Sequence, residues 1–152
     1  LSAPALRPGL VLEGRYEVLA RIGAGAHTEC WRAAVLGLRE TVALVRPSQP
    51  DGTLRRRLSD ASTLQASFQH QNFLPALDLL SFGGAPLVVL PFGGECLEQR
   101  LARGPLAFPE VETLARQSFA GVEALHALGF VHRNLSARKV LLGGAGGVAK
   151  VT

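Results

Sequence analysis

The chain has 152 residues, enough for one ordinary domain or two small lobes sharing an interface. Apolar residues make up 47% and charged residues 18%, which argues against intrinsic disorder. Sixteen Lys and Arg against twelve Asp and Glu leave a net charge of +4. The basic residues are scattered, however. The single run, Arg55-Arg56-Arg57, fits a solvated helix face and lacks aromatic interleaving, so no nucleic-acid partner is expected.

Two cysteines, Cys30 and Cys96, are too few for a zinc cluster, and nothing argues for a disulfide framework. The expected location is therefore cytoplasmic, or the cytoplasmic part of a larger protein. No apolar stretch reaches the roughly 18–20 residues of a membrane span, and Leu1–Pro8 lacks the apolar core of a secretory signal. The absence of any Met, even at position 1, reads as a piece of a longer protein.

In chain order, a Pro-containing lead-in covers residues 1–14. A strand follows over Arg15–Ile22, then a Gly23-Ala24-Gly25 turn, a second strand around Glu29–Ala34 and a third, Thr41–Arg46, stopped by Pro47. Asp51–Gln69 carries Leu54, Leu58, Ala61, Leu64 and Phe68 at three- and four-residue spacing, which predicts a helix. Phe73–Phe82 and Pro86–Phe92 are strand candidates separated by Gly83-Gly84. Beyond Gly93-Gly94 the pattern turns helical. A short helix is predicted over Cys96–Arg103 and a long one over Pro109–Leu128, opened by Pro109 and Glu110 and closed by Gly129. Phe130–Leu142 reads as loop or extended chain, and Gly143–Gly147 as a hairpin turn before Val148–Thr152. The domains expected are a lead-in (1–14), a sheet-rich lobe (15–92) and an unfinished helical lobe (93–152).

Five segments in this order resemble the eukaryotic-type protein kinase family, of the bacterial serine/threonine kind. Gly14-Arg15-Tyr16-Glu17-Val18-Leu19-Ala20-Arg21-Ile22-Gly23-Ala24-Gly25 is similar to the approach to its glycine-rich loop, with Trp31-Arg32-Ala33 following as the family has an aromatic, a basic residue and Ala. Val42-Ala43-Leu44-Val45 stands where the family has V-A-I-K. The helix over 51–69, ending in His70-Gln71-Asn72-Phe73-Leu74, resembles its αC helix and the H-P-N-I-V that follows. Leu87 to Gly94 resembles the last strand of the N-lobe and the hinge, and Ala124 to Leu135, with His132-Arg133-Asn134, matches the approach to the catalytic loop. The resemblance implies an α+β, protein-kinase-like fold: an antiparallel N-lobe sheet with one helix, then a truncated helical C-lobe. It also places Val148–Thr152 on the strand before the metal-binding D-F-G.

Set against that family, the departures fall on the chemistry. The strand lysine that holds the phosphates maps to Val45, and its glutamate partner on the helix maps to Ala61. Losing both halves together is self-consistent, because one stranded buried charge costs roughly 3–5 kcal/mol whereas two apolar replacements can be neutral; a Val–Ala contact would then pack helix on sheet. Arg46 and Asp60 are the nearest substitutes, but a one-residue shift on a strand turns a side chain to the other face. Asn134 replaces the catalytic Asp and cannot take a proton near neutral pH. Ser136 stands where a lysine is usual. Lys139 stands at the metal-binding Asn, and an ammonium is no ligand for Mg²⁺. It reads as a solvated loop lysine, with a phosphate contact in place of the metal as the alternative.

The third glycine of the loop maps to Thr28, and the valine over the adenine maps to Cys30. His27 reads as an exposed turn residue and His132 as structural. A degenerate nucleotide pocket is expected from Ile22, Gly23, Gly25, Cys30, Ala43, Val89, Leu90 and Phe92, with Phe92 at the usual adenine donor position and Pro91 lacking its N–H. These residues favour a pseudokinase acting as a regulatory or scaffolding module, with a protein partner or another domain of its own chain. No cofactor is required in that reading; ATP binding would be weak, and Mg²⁺ is not expected. Two alternatives stay open: an active serine/threonine kinase with displaced groups, and a nucleotide-binding switch without chemistry.

Overall fold

A computed structural model of the chain describes residues 4–25, 27–49, 52–143 and 148–152. They divide into two compact units, one of Leu1–Phe68 and Pro75–Phe92, the other of Gln69–Leu74 and Gly93–Thr152. Among the described residues no helix is long and apolar enough to cross a membrane.

The first unit is a six-stranded antiparallel sheet with one helix. Its strands are β1 (Val11–Leu12), β2 (Tyr16–Ala24), β3 (Thr28–Val35), β4 (Thr41–Pro47), β5 (Asp78–Phe82) and β6 (Ala85–Pro91), in the order β1-β2-β3-β4-β6-β5. Helix α1 (Gly52–Ser67) lies between β4 and β5 in sequence and packs on β4, β5 and β6. In a flat sheet β2 and β5, four strand spacings apart in this order, would be separated by about 19 Å. Yet the Tyr16 hydroxyl donates to Asp78 Oδ2 at 3.2 Å, and the neighbouring Arg15 guanidinium reaches the same oxygen at 2.6 Å. The sheet is therefore strongly curled, as twisted strands demand.

Inside the curl, Val18, Ala33, Val42, Leu44, Leu87 and Val89 form one buried cluster with Leu6, Leu12 and Tyr16. The lead-in is thus part of this unit. Leu6 and Leu12 fill its core, and Val11–Leu12 pairs with Tyr16–Glu17 as an edge strand. The turn between β1 and β2 runs through Glu13 (φ 49°) and Gly14 (φ 64°), the left-handed pair that a tight hairpin of matching twist requires.

In the second unit, β7 (Glu95–Cys96), β8 (Val140–Leu142) and β9 (Lys150–Val151) form a three-stranded antiparallel sheet. Helices α2 (Leu97–Leu101) and α3 (Phe108–Ala127) accompany it, with a 3₁₀ turn at Ala137–Lys139. The Gln99 side chain accepts from the Cys96 N–H at 3.0 Å and caps α2. Pro109 opens α3, and Gly129 at φ 81° closes it by returning its N–H to the His126 carbonyl.

Two expectations about elements change. The span 73–82 is not one strand, because β5 begins only at Asp78. Upstream, the backbone bonds of 72–74 go to β9 instead: Val151 N–H donates to Asn72 O and Leu74 N–H to Val151 O, both at 2.8 Å. Asn72, itself buried, adds a side-chain bond from Nδ2 to Ala149 O at 3.0 Å. Helix α3 comes so close there that a Cβ on Gly121 would lie 2.4 Å from Asn72 O, which only glycine permits. Residues 69–74 consequently belong with the second unit. The expected turn at Gly143–Gly147 lies outside the described residues except for Gly143.

Candidate functional site

The β2–β3 turn carries the glycines of the expected loop. Gly23 ends up within β2, and Gly25 N–H donates to Thr28 O at 2.7 Å, closing the turn on itself. A Cβ on Gly23 would meet nothing within 4 Å, and one on Gly25 only Thr28 at 3.7 Å. The absent side chains therefore leave open space rather than relieve a clash. Ile22 and His27 are exposed beside the turn.

Strand pairing decides what shares a face with these residues. Cys30 lies opposite Gly23 on one side and Val45 on the other; Ala43 lies opposite Arg32 and Leu90; Val45 lies opposite Val88. Directly paired residues project to one side of a sheet, so Cys30, Arg32, Ala43, Val45, Val88 and Leu90 share a face. Val89 does not. It pairs with Leu44, is fully buried in the core cluster, and points away from Ala43, so it does not share the face on which a nucleotide pocket was expected. Arg32 joins this face unanticipated. Its guanidinium sits 6.0 Å over the ring of Phe92, a half-open hinge residue. The signal was the two-residue alternation from Cys30 to Arg32, which identifies the face only once the pairing of β3 is known.

Val45 is half-buried on that face, and its neighbour Arg46 turns to the opposite one. There Arg46 pairs with Glu29, its direct cross-strand partner, at 3.3 Å, donates to Pro4 O at 3.2 Å and lies over the Phe82 ring at 5.7 Å. Its side chain is only 12% exposed. Asp60 sits in the open on α1, 3.9 Å from Arg56 and 74% exposed.

Ala61 is exposed as well, and the buried residue of α1 is Ser62, whose hydroxyl donates to the Leu58 carbonyl at 2.5 Å. The expected Val45–Ala61 packing is thereby corrected. One residue is a 100° step around a helix, and the inward position falls on Ser62, a hydroxyl satisfied by its own helix.

In the second unit, His132-Arg133-Asn134 forms a bend held by the histidine. His132 Nε2 lies 3.0 Å from Thr152 O while Nδ1 accepts the Asn134 N–H at 3.2 Å, so both ring nitrogens are used in positioning backbone. The bend puts Arg133 at φ 62°, a left-handed conformation unusual for a residue with a Cβ. Asn134 and Ser136 are exposed. Downstream, Lys139 is half-buried at the end of the 3₁₀ turn; its N–H donates to Ser136 O and its carbonyl accepts Thr152 N–H, both at 2.9 Å.

Mg²⁺ requires oxygen ligands in near-octahedral array. This loop offers an ammonium at 139, and among the described residues no group of three or more His, Cys, Asp or Glu is arranged to hold a metal. The Lys139 side chain itself supplies no oxygen for such an ion. The acids near the 3₁₀ turn are engaged elsewhere: Arg103 grips Glu95 with both guanidinium nitrogens, holding its carboxyl below the usual range, and Arg138 takes Glu98 at 2.7 Å.

Comparison with known proteins agrees with this arrangement. Residues 16–152 match the family of protein tyrosine and serine/threonine kinases. The chain is 34% identical over 152 residues to the DNA damage-responsive serine/threonine-protein kinase RqkA of Deinococcus radiodurans, covering 93% of this chain and 22% of that protein. It is 27% identical over 137 residues to the serine/threonine-protein kinase pkn2 of Myxococcus xanthus, covering 88% and 16%. The chain thus spans about a fifth of the length of these curated relatives. Among solved structures, the PknI kinase domain of Mycobacterium tuberculosis superposes with a TM-score of 0.77 at 25% identity, over 97% of this chain and 62% of that one. A structure described as the apo form of PpkA-294 reaches a TM-score of 0.82 at 18% identity, which speaks for the fold. The family match begins at the first residue of β2 and takes in both the glycine turn and the His132 bend, so the chain belongs to the protein kinase family.

Proposed function

We propose that this kinase-like domain is catalytically impaired and works as a regulatory or scaffolding module, engaging a protein partner or another domain of its own chain. The observation that carries this reading is the fate of the two groups that could replace the missing ion pair. Arg46 is committed to Glu29, Pro4 and Phe82 on the face of β4 away from Val45, and Asp60 projects into solvent beside Arg56. Phosphoryl transfer depends on positioning and charge stabilisation. With Val45, Ala61, Asn134 and Lys139 at the positions that supply these in the family, those positions offer neither the phosphate-holding cation of β4 nor a proton acceptor. The open space over Gly23 and Gly25 favours a second, compatible reading, in which a nucleotide binds without being cleaved.

The test is incorporation of label from ATP by the full-length protein, with its own residues and with a generic acceptor. No incorporation above a protein-free blank is expected. Incorporation that disappears on Asn134→Ala would overturn the reading and leave an active kinase with displaced groups.

A further inference from the structure

Within the first unit, a half-open cavity of about 200 Å³ lies between the two edge strands of the curled sheet, β1 and β5. Leu12, Leu80, Phe82 and Leu87 give it apolar walls, and all four belong to the core cluster or pack against it. Val11 and Ser81 line the same opening, and strand pairing decides where their backbone groups point. Val18 N–H donates to Leu10 O at 2.8 Å, so Leu10 and Val18 form a bonded pair and the adjacent Val11 and Glu17 a non-bonded one. On β5, Phe82 and Ala85 flank the two-residue Gly83-Gly84 turn and form its bonded pair. Ser81 then faces Pro86 in a non-bonded pair, where a residue lacking N–H costs no ladder bond. The N–H and C=O of Val11 and of Ser81 therefore project out of the two sheet edges, and both residues are exposed.

An apolar small molecule in the cavity would cover these backbone groups without pairing them. A stretch of polypeptide pairs them while one of its side chains fills the space. An engineered apolar cavity of about 150 Å³ holds benzene, so the volume here suits a Leu or Phe side chain. Asp78 is tied to Arg15 and Pro4 lies against Gly83, which leaves Leu79–Phe82 as the open stretch of β5 and makes the occupant short. Glu13 is the charged residue of the wall and has no ion pair among the described residues, because neighbouring Arg15 is engaged with Asp78. We infer that this opening docks a short extended segment of a partner protein, with one large apolar side chain in the cavity and a Lys or Arg beside Glu13. The inference gives the partner of the regulatory reading a surface, and in that respect rests on it.

The experiment titrates the full-length protein into a labelled peptide, Lys-Thr-Val-Thr-Phe-Thr-Val-Thr or the same with Lys moved to the end. Anisotropy gives the Kd, and amide hydrogen exchange reports on the two edges. Saturable binding is expected, with slowed exchange at the Val11 and Ser81 N–H. Val11→Pro and Ser81→Pro each delete one outward donor and no ladder bond, and weaken binding about two- to tenfold. Replacing the Phe of the peptide by Ala weakens it about tenfold, and Glu13→Gln about two- to fivefold. No binding at millimolar protein overturns the inference. So does binding that leaves exchange at Val11 and Ser81 unchanged, a result that does not depend on either proline variant folding. Self-association of the free protein that protects the same two amides makes the occupant a second copy and overturns the choice of partner. Failure of the regulatory reading registers separately, as label transferred from ATP to protein.

Discussion

The two units are held together by different physics. In the first, Val18, Leu44, Leu87 and Val89 are wholly withdrawn from water inside a curled sheet, and the lead-in adds Leu6 and Leu12 to the same cluster. The second has fewer buried large apolar groups. It leaves Phe108, Val111 and Phe119 of α3 and Val131 of the following loop exposed, and it is secured instead at hydrogen-bonded seams around Asn72, Gly121 and His132. Burial is tolerant of small changes because many contacts share it. A seam depends on single atoms at single positions, and the residues at the family's catalytic positions in this unit stand on such seams. The His132 bend keeps both of its positioning bonds, to Thr152 and to Asn134.

That contrast can be broken or sharpened by substitution. The largest effect is expected from Leu44→Ala, which empties the centre of the first unit and costs about 2–5 kcal/mol in denaturant unfolding. A cost well under 1 kcal/mol would mean that the curl does not rest on its apolar core. Next is Gly121→Ala, a single added methyl group that must push on the Asn72 backbone and costs about 1–3 kcal/mol. The collision is with a main-chain oxygen, so the penalty persists in an Asn72→Ala background; if it vanishes there, the seam is a side-chain contact after all. Smaller and opposite in sign is Glu13→Gly. It relieves a left-handed residue in the β1–β2 turn and stabilises by about 0.5–1 kcal/mol after the added freedom of the unfolded chain.

The smallest effect is a pH dependence. Arg103 lowers the Glu95 pKa chiefly through its hydrogen bonds. The contribution is therefore present above the ordinary glutamate range and lost as pH falls through the depressed value. Glu95→Gln should narrow the gap between the thermal midpoints at neutral and strongly acid pH. Both groups are solvent-exposed, and a large narrowing would show that the pair does more than a surface ion pair does.

Much of the site was legible because its signals are local. Glycines 23 and 25, the Val42–Val45 strand and the His132-Arg133-Asn134 bend are short, contiguous and in the family's order. The facing of Val89 and Ala61 was not. A residue's face on a strand depends on which partner it pairs with, and β2 carries irregularities between Val18 and Ala20 and between Arg21 and Gly23 that shift the count against β3. Leu54, Leu58, Leu64 and Phe68 of the apolar pattern are half-buried or buried, but at the middle turn of α1 a serine that satisfies its own hydroxyl takes the buried position and leaves Ala61 exposed.

The order of residues alone determined that this is a kinase-like chain carrying Val45, Ala61 and Asn134 where the family resemblance leads one to expect charged groups, since identity at a position needs no coordinates. Only the folded chain decided that Arg46 turns away to Glu29, that residues 69–74 close onto β9, and that Arg32 rises over Phe92. These outcomes depend on pairing and packing between segments distant in sequence, where one pleat or one close glycine contact determines which groups can meet.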